Sequence, residues 1–284
     1  MNRDNNPIQI GDLERIATGF HNTEGPVWHS EGYLLFSDID GNTIYKWTPD
    51  GNVETVRSPS GYSNGLTFDR QGRLIACEHG NRRVSRTELD GSVVTLAKDY
   101  AGKRLNSPND VVVKSDGSIY FTDPPYGLRE PWGKPGRQDL PFQGVYRLLP
   151  DGKTPVLVIE DLYRPNGLAF SPDEKVLYVA NSERDPAVHA FDVQVDGTLA
   201  NGRVFLSDVG WPDGLKVDGD GNLYVATNTK RLRIFDREGK HLEDIVTPEI
   251  TRNCAFGGPD NRTLFITAMT SVYRVQLNVQ DRIS

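Results

Sequence analysis

The chain has 284 residues, a length for one or two domains, and 37% hydrophobic with 25% charged residues lets a sizeable core form without long disorder. Its 28 glycines and 18 prolines exceed average usage and call for many tight turns. A net charge of −7 argues against nucleic acid or an anionic membrane as partner, and neither a membrane span of ~18 apolar residues nor a secretory leader is read in the chain.

In chain order, residues 1–12 read as an extension and residues 13–19 as a short strand. A repeating unit then begins at Glu24-Gly-Pro-Val-Trp28 and continues through Tyr33-Leu-Leu-Phe-Ser-Asp38 and Thr43-Ile-Tyr-Lys-Trp47. Equivalent starts follow at Asn64-Gly-Leu-Thr-Phe68, Asn109-Asp-Val-Val-Val113, Asn166-Gly-Leu-Ala-Phe170, Asp213-Gly-Leu-Lys-Val217 and Asn253-Cys-Ala-Phe256. They are 40, 45, 57, 47 and 40 residues apart. Each unit is a set of short β-branched and aromatic runs separated by Asp-Gly or Pro-Asp turns, the pattern of antiparallel strands. Four strands every 40–50 residues is the signature of a propeller blade. The expected fold is therefore all-β, a six-bladed β-propeller with four antiparallel strands per blade, in one domain over residues 1–284. The last unit shows three strands, so the strand at 13–19 is expected to complete it from outside and close the ring, because an open propeller would expose an edge. Residues 124–144 carry five prolines and read as a loop that lengthens the third unit.

The first strand of each blade lines the central channel, which places the six start residues at one mouth. Glu24, Asn64, Asn109, Asn166, Asp213 and Asn253 are all oxygen-bearing. Asn and Asp favour strand entries for local reasons, but Glu has no such turn preference, and buried acids are costly without a compensating cation. A hard divalent ion with oxygen ligands resolves that cost. The ring has no His or Cys, and Cys77 and Cys254 are the only cysteines, which disfavours a dedicated zinc, copper or iron site. The second strands return to the same mouth and end at Asp38, Glu78-His79, Asp123, Asn181-Ser182, Asn228 and Thr270, a second polar layer. Gly61-Tyr-Ser-Asn-Gly65 has the letters of a nucleophile elbow, but a strand rather than a helix follows it, so Ser63 is not read as a nucleophile. Asp218-Gly-Asp-Gly-Asn222 lacks the later Gly and Glu of a calcium loop and reads as a hairpin turn.

The start motifs, with Leu105-Asn-Ser-Pro-Asn-Asp110, Arg164-Pro-Asn-Gly-Leu168 and Cys254-Ala-Phe-Gly-Gly258, resemble the SMP-30/gluconolactonase/luciferin-regenerating-enzyme family over roughly residues 13–277. Ala76-Cys-Glu-His-Gly80 and Phe121-Thr-Asp-Pro-Pro-Tyr-Gly127 resemble its bacterial gluconolactonase branch. The resemblance implies one divalent metal in the channel and hydrolysis of a sugar lactone. It implies Glu24, Asn166 and Asp213 as metal ligands, and Asn109 as a residue that coordinates the metal or touches substrate, depending on the member. Ser107 stands where animal members carry a substrate-binding Arg, which leaves Arg104 and Asn106 as the nearest candidates for that contact. Asn64, Asn253, Glu78 and His79 complete the expected substrate contacts. The expected reaction is opening of an aldonolactone such as gluconolactone by a metal-polarised carbonyl and a water activated by Asp213, which acts as ligand and general base. Ca2+ is the first choice of ion, with Mg2+, Mn2+ and Zn2+ also compatible with oxygen donors. Two alternatives stand beside it: a phosphotriesterase or fluorophosphatase on the same scaffold, and a non-catalytic binding propeller with a structural metal. The protein is expected to be cytoplasmic, as a monomer or small homo-oligomer.

Overall fold

The computed structural model describes residues 8–150, 152 and 154–279. Six four-stranded antiparallel sheets stand around one axis, and within each of the first five the strands are ordered from inside to outside in chain order. Blade one, for instance, runs Thr23–His29, Tyr33–Asp38, Thr43–Trp47 and Val53–Arg57. The innermost strands of the remaining blades are Ser63–Phe68, Val111–Val113, Pro165–Phe170, Leu215–Val217 and Thr251–Gly257. Each abuts its neighbour around the axis, and the last abuts the first, so the ring is closed. Among the described residues, what lies outside the blades includes a short ribbon, Asp99–Tyr100 with Lys103–Arg104, and a 3-10 turn at Tyr126–Leu128 within the expected loop. Among the described residues no helix is long and apolar enough to cross a membrane.

The apolar residues do not gather at the centre. They form six separate layers, one in each seam between neighbouring blades. Alternation along each strand sends successive side chains to opposite faces, and each face meets the sheet of the adjacent blade. The seam between the last blade and the first packs Phe265 and Val272 against Leu34, Phe36 and Trp47. There Trp28 stacks on Phe265 with ring centroids 5.1 Å apart. This arrangement leaves the axis to polar groups.

Closure follows the sequence reading. Glu14–Thr18 pairs antiparallel with Ser271–Gln276 as the outermost strand of the last blade, with Glu14 opposite Arg274 and Thr18 opposite Ser271. The described part of the expected extension also docks on this blade. Gln9 bridges to Leu277, Ile10 N–H donates to the Gln276 carbonyl at 3.0 Å, and Ile8 packs on the apolar layer between the last two blades. Removing residues 1–12 should therefore lower the melting temperature by a few degrees, about 1 kcal/mol of lost packing in a protein of this size. Removing residues 1–19 should leave Ser271–Gln276 as a bare edge and produce aggregation visible by light scattering. Equal melting temperature and solubility for the two truncations would refute this mode of closure.

Candidate functional site

The start residues reach the axis because the innermost strands leave their ladders there. In blade one Glu24 pairs with Ser37, but the next paired residue is Val27 with Leu35, so the strand carries an extra residue at Gly25-Pro26. The same shift falls between Ser63 and Leu66, between Pro165 and Leu168, and between Thr251 and Asn253. A bulge of this kind re-aims the side chain it carries. The glycine beside the start residue is a matter of space. A Cβ on Gly25 would lie 2.0 Å from the Asn64 carbonyl oxygen, and one on Gly167 would lie 2.5 Å from the Asp213 carbonyl oxygen. Gly25 also adopts φ +51, a region that side chains disfavour. Closely packed ends then bond across blades: Gly65 N–H donates to the Asn109 carbonyl at 2.8 Å, and Gly214 N–H to the Arg252 carbonyl at 2.9 Å.

A cavity of about 190 Å3 opens at this mouth, with Glu24, Asn64, Asn109, Asn166 and Asp213 on its floor. Glu24 is fully buried, and Oε2 accepts hydrogen bonds from the Gly25 N–H at 2.7 Å and the Asn253 amide at 3.1 Å. Burial, then the charge of Asp213, pushes its carboxyl up to about 8. Burial likewise raises Asp213 to about 6, restrained by the Arg252 guanidinium and a hydrogen bond from Asn166. Arg252 Nη1 stands 3.5 Å from Asp213 Oδ2 and donates to Asn228 Oδ1 at 2.9 Å. A third carboxylate, Asp110, lies just below. Its Oδ1 accepts from Val111 N–H at 2.9 Å, while buried Oδ2 has no hydrogen-bond partner and the Lys216 ammonium stands 3.9 Å away. Acid is thus concentrated at the mouth beyond what the two cations beside it offset. Among the described residues no three His, Cys, Asp or Glu side chains converge as a metal site by themselves, so an ion here would draw on carboxamide oxygens as well.

Of the other expected contacts, His79 lines the cavity, and Glu78, Arg104, Asn106 and Asn253 do not. Glu78 and His79 are consecutive strand-end residues and point to opposite sides. Glu78 accepts from Arg57, Asn81, Arg83 and Ser85, an ion-paired knot behind the mouth. Asn106 is spent on the Asp123 and Phe142 carbonyls at 2.9 and 3.0 Å. Arg104 sits on the exposed ribbon against a second hollow shared with Arg82 and Lys134. Asn253 holds Glu24 with its amide nitrogen and accepts its own neighbour's N–H, Cys254, at 2.9 Å. In the second polar layer Ser182 and Asn228 join the cavity. Asp38 instead ties off the entering chain, accepting from the Asn22 and Gly41 N–H groups at 2.9 and 3.2 Å.

Sequence reasoning missed Arg252 and the aromatic wall. Tyr126 and Trp132, 6.1 Å apart edge to face, come from the proline-rich loop, and Trp211, 59% exposed, lines the same cavity from the segment before Asp213. Arg252 precedes the sixth start residue and was findable as the one charged residue in that position. The loop aromatics carry no periodic signal that marks them.

The SMP-30/gluconolactonase/LRE-like region matches residues 22–270. The chain is similar to a gluconolactonase of Zymomonas mobilis subsp. mobilis, 36% identical over 93% of this chain and 81% of that protein. It is also similar to regucalcin of Xenopus laevis, 29% identical over 86% of this chain and 82% of that one. A solved structure described as a gluconolactonase from Xanthomonas campestris superposes with a TM-score of 0.90 at 39% identity, covering 95% of this chain and 91% of its own. With the closed six-bladed ring and the matching start motifs, these likenesses establish that the chain belongs to the SMP-30/gluconolactonase/LRE-like family.

Proposed function

We propose that this chain is a lactone hydrolase that opens a sugar lactone, an aldonolactone such as gluconolactone, at the mouth containing Glu24 and Asp213. The observation that carries the reading is one cavity floored by buried carboxylates and carboxamides and walled by Tyr126, Trp132 and Trp211. Amides match hydroxyls, and flat aromatic faces match the C–H face of a sugar ring. Similarity to the Zymomonas and Xanthomonas gluconolactonases supports the same substrate class. An apolar floor, as a phosphotriester would favour, is absent from the described lining.

The donor set fits a hard divalent cation. Glu24, Asn109, Asn166 and Asp213 offer oxygen only, and Glu24 is driven toward its neutral form by burial and by Asp213 in the absence of other positive charge beside it. Those four residues would hold the ion, with calcium as first choice, and bound there it supplies Lewis acidity toward the lactone carbonyl. Asp213 takes the proton of the attacking water, a task suited to a carboxylate that burial has raised to about 6. Arg252 keeps Asp213 ionised and fixes its rotation through the shared contact with Asn228. Asn253 and the Gly25 N–H hold Glu24 so that one face of its carboxylate stays toward the axis.

Exhaustive chelation should abolish lactone hydrolysis and lower the melting temperature, with both restored by adding back one ion. Mass action gives ~4 kcal/mol of stabilisation at a thousandfold excess over the dissociation constant. Full activity in protein shown by elemental analysis to hold no metal would sink the metal assignment.

Two substitutions separate holding an ion from moving a proton. Asp213→Asn keeps an oxygen but loses the proton acceptor, so metal-saturated turnover should fall by the ~10²–10⁴-fold of a lost general base. Asn166→Ala removes a neutral donor, so excess ion should recover much of its loss. Near-normal turnover of saturated Asp213→Asn would reduce Asp213 to a ligand.

A further inference from the structure

His79 is a buried side chain that the reaction as derived above does not use. It lies between two partners. Its Nδ1 is 3.1 Å from the Trp132 carbonyl oxygen, in the loop of residues 124–144, and its Nε2 is 3.3 Å from the Asn64 side-chain amide. The loop is pressed against it and folded closely on itself: a Cβ on Gly127 would stand 2.4 Å from His79 Cβ, and one on Gly133 would stand 2.1 Å from the Gly127 carbonyl oxygen.

A carbonyl oxygen has no proton to give, so the Nδ1 facing Trp132 must carry the hydrogen. Burial pushes the imidazole down to about 4, so it is neutral at physiological pH and its Nε2 presents a lone pair. The Asn64 group facing a lone pair has to be NH2. The Asn64 oxygen is then left on the cavity side, where no described protein group donates to it. The Asn64 backbone is itself fixed, its carbonyl accepting from Ser37 Oγ at 2.8 Å, so only rotation of the amide remains to be settled.

We propose that His79 is a positioning residue: anchored by the Trp132 carbonyl, it sets the Asn64 amide so that Oδ1 enters the cavity as the acceptor for a hydroxyl of the lactone. The inference rests on the proposed function for the identity of the ligand, and on the hydrogen-bond chain through a buried, neutral imidazole for the amide orientation. It also gives the proline-rich loop a second task, since the same segment that walls the cavity with Trp132 polarises its floor through the Trp132 backbone.

The two ring nitrogens can be replaced one at a time. His79→Asn keeps a donor near the Nδ1 place and loses the acceptor toward Asn64. His79→Gln carries its amide oxygen to the Nε2 place and restores that acceptor. With D-glucono-δ-lactone, His79→Asn should raise KM about five- to tenfold, the cost of one misdirected hydrogen bond, with kcat within about twofold. His79→Gln should recover most of that loss. In an Asn64→Ala background His79→Asn should raise KM no further, because the residue it acts through is gone. The same KM increase in both backgrounds would assign His79 a merely structural part and overturn the inference. Independently of turnover, imidazole 15N shifts of the intact protein at pH 7 should show Nδ1 protonated and Nε2 bare for the signal lost in His79→Asn. An Nε2–H tautomer or an imidazolium there overturns the inference. Absence of lactone turnover by the unaltered enzyme counts against the proposed function and not against the amide orientation, which the 15N spectrum reads alone.

Discussion

Six strand ends must meet around one axis, and the room there is less than six ordinary residues need. That crowding explains the start motif. The backbone of one blade runs so close to the next that a Cβ on Gly25 or Gly167 would fall inside the van der Waals radius of a neighbouring carbonyl. A bulge falls at each of these glycines: Asn166 lies within it, and Glu24 is the last paired residue before it, so both side chains are re-aimed where the ladder is interrupted. Glycine and functional residue are therefore coupled. Closing the ring tightly and presenting Glu24 and Asn166 to the channel are consequences of one backbone conformation.

The apolar energy of the fold is stored away from the axis, in six seams that each join two blades. Because no seam crosses the centre, polar and charged groups occupy the axis without displacing core. Their cost is electrostatic instead. Glu24 and Asp110 are buried and Asp213 is half-buried beside them, and desolvation is the leading cause of the upward shifts at Glu24 and Asp213. Arg252 and Lys216 offset part of this, each from one side. A folded state that tolerates such a cluster is biased toward whatever positive charge can enter the mouth.

The fold was legible in the sequence because propeller geometry repeats. Each blade begins with an oxygen-bearing residue just before an apolar strand, followed by glycine in four of the six, and the missing strand of the last blade had to be found elsewhere, at Glu14–Thr18. The ring at the axis was legible for the same reason. The second layer was legible only in part. Strand ends are where alternation decides direction, so of the pair Glu78 and His79 one faces Arg57 and Arg83 and the other faces the cavity, and no count of residues says which. Arg104 was expected from its nearness in sequence to Asn109, yet a two-residue ribbon carries it out to the surface. Tyr126 and Trp132 received no role from the sequence because a loop has no period from which to read a direction.

That loop also explains why the third blade is the longest. A bare ring of strand ends is a shallow dish open to water. Residues 124–144 fold back over it, with the Lys134 N–H donating to the Gly127 carbonyl at 3.0 Å and the Gly136 N–H to the Leu128 carbonyl at 3.0 Å. Those bonds make a compact wall from a segment that has no ladder of its own. Arg129 lies 4.5 Å above the Trp132 ring, and Arg164, from the next blade, 5.1 Å above the Tyr126 ring, so the wall is braced by cations on both aromatic faces. The floor is built by the repeat and is constrained by closure. The wall is built by an insertion and is constrained only by its own packing. Changes in ligand preference within such a scaffold should therefore accumulate in the insertion, where a substitution alters the cavity without straining the ring.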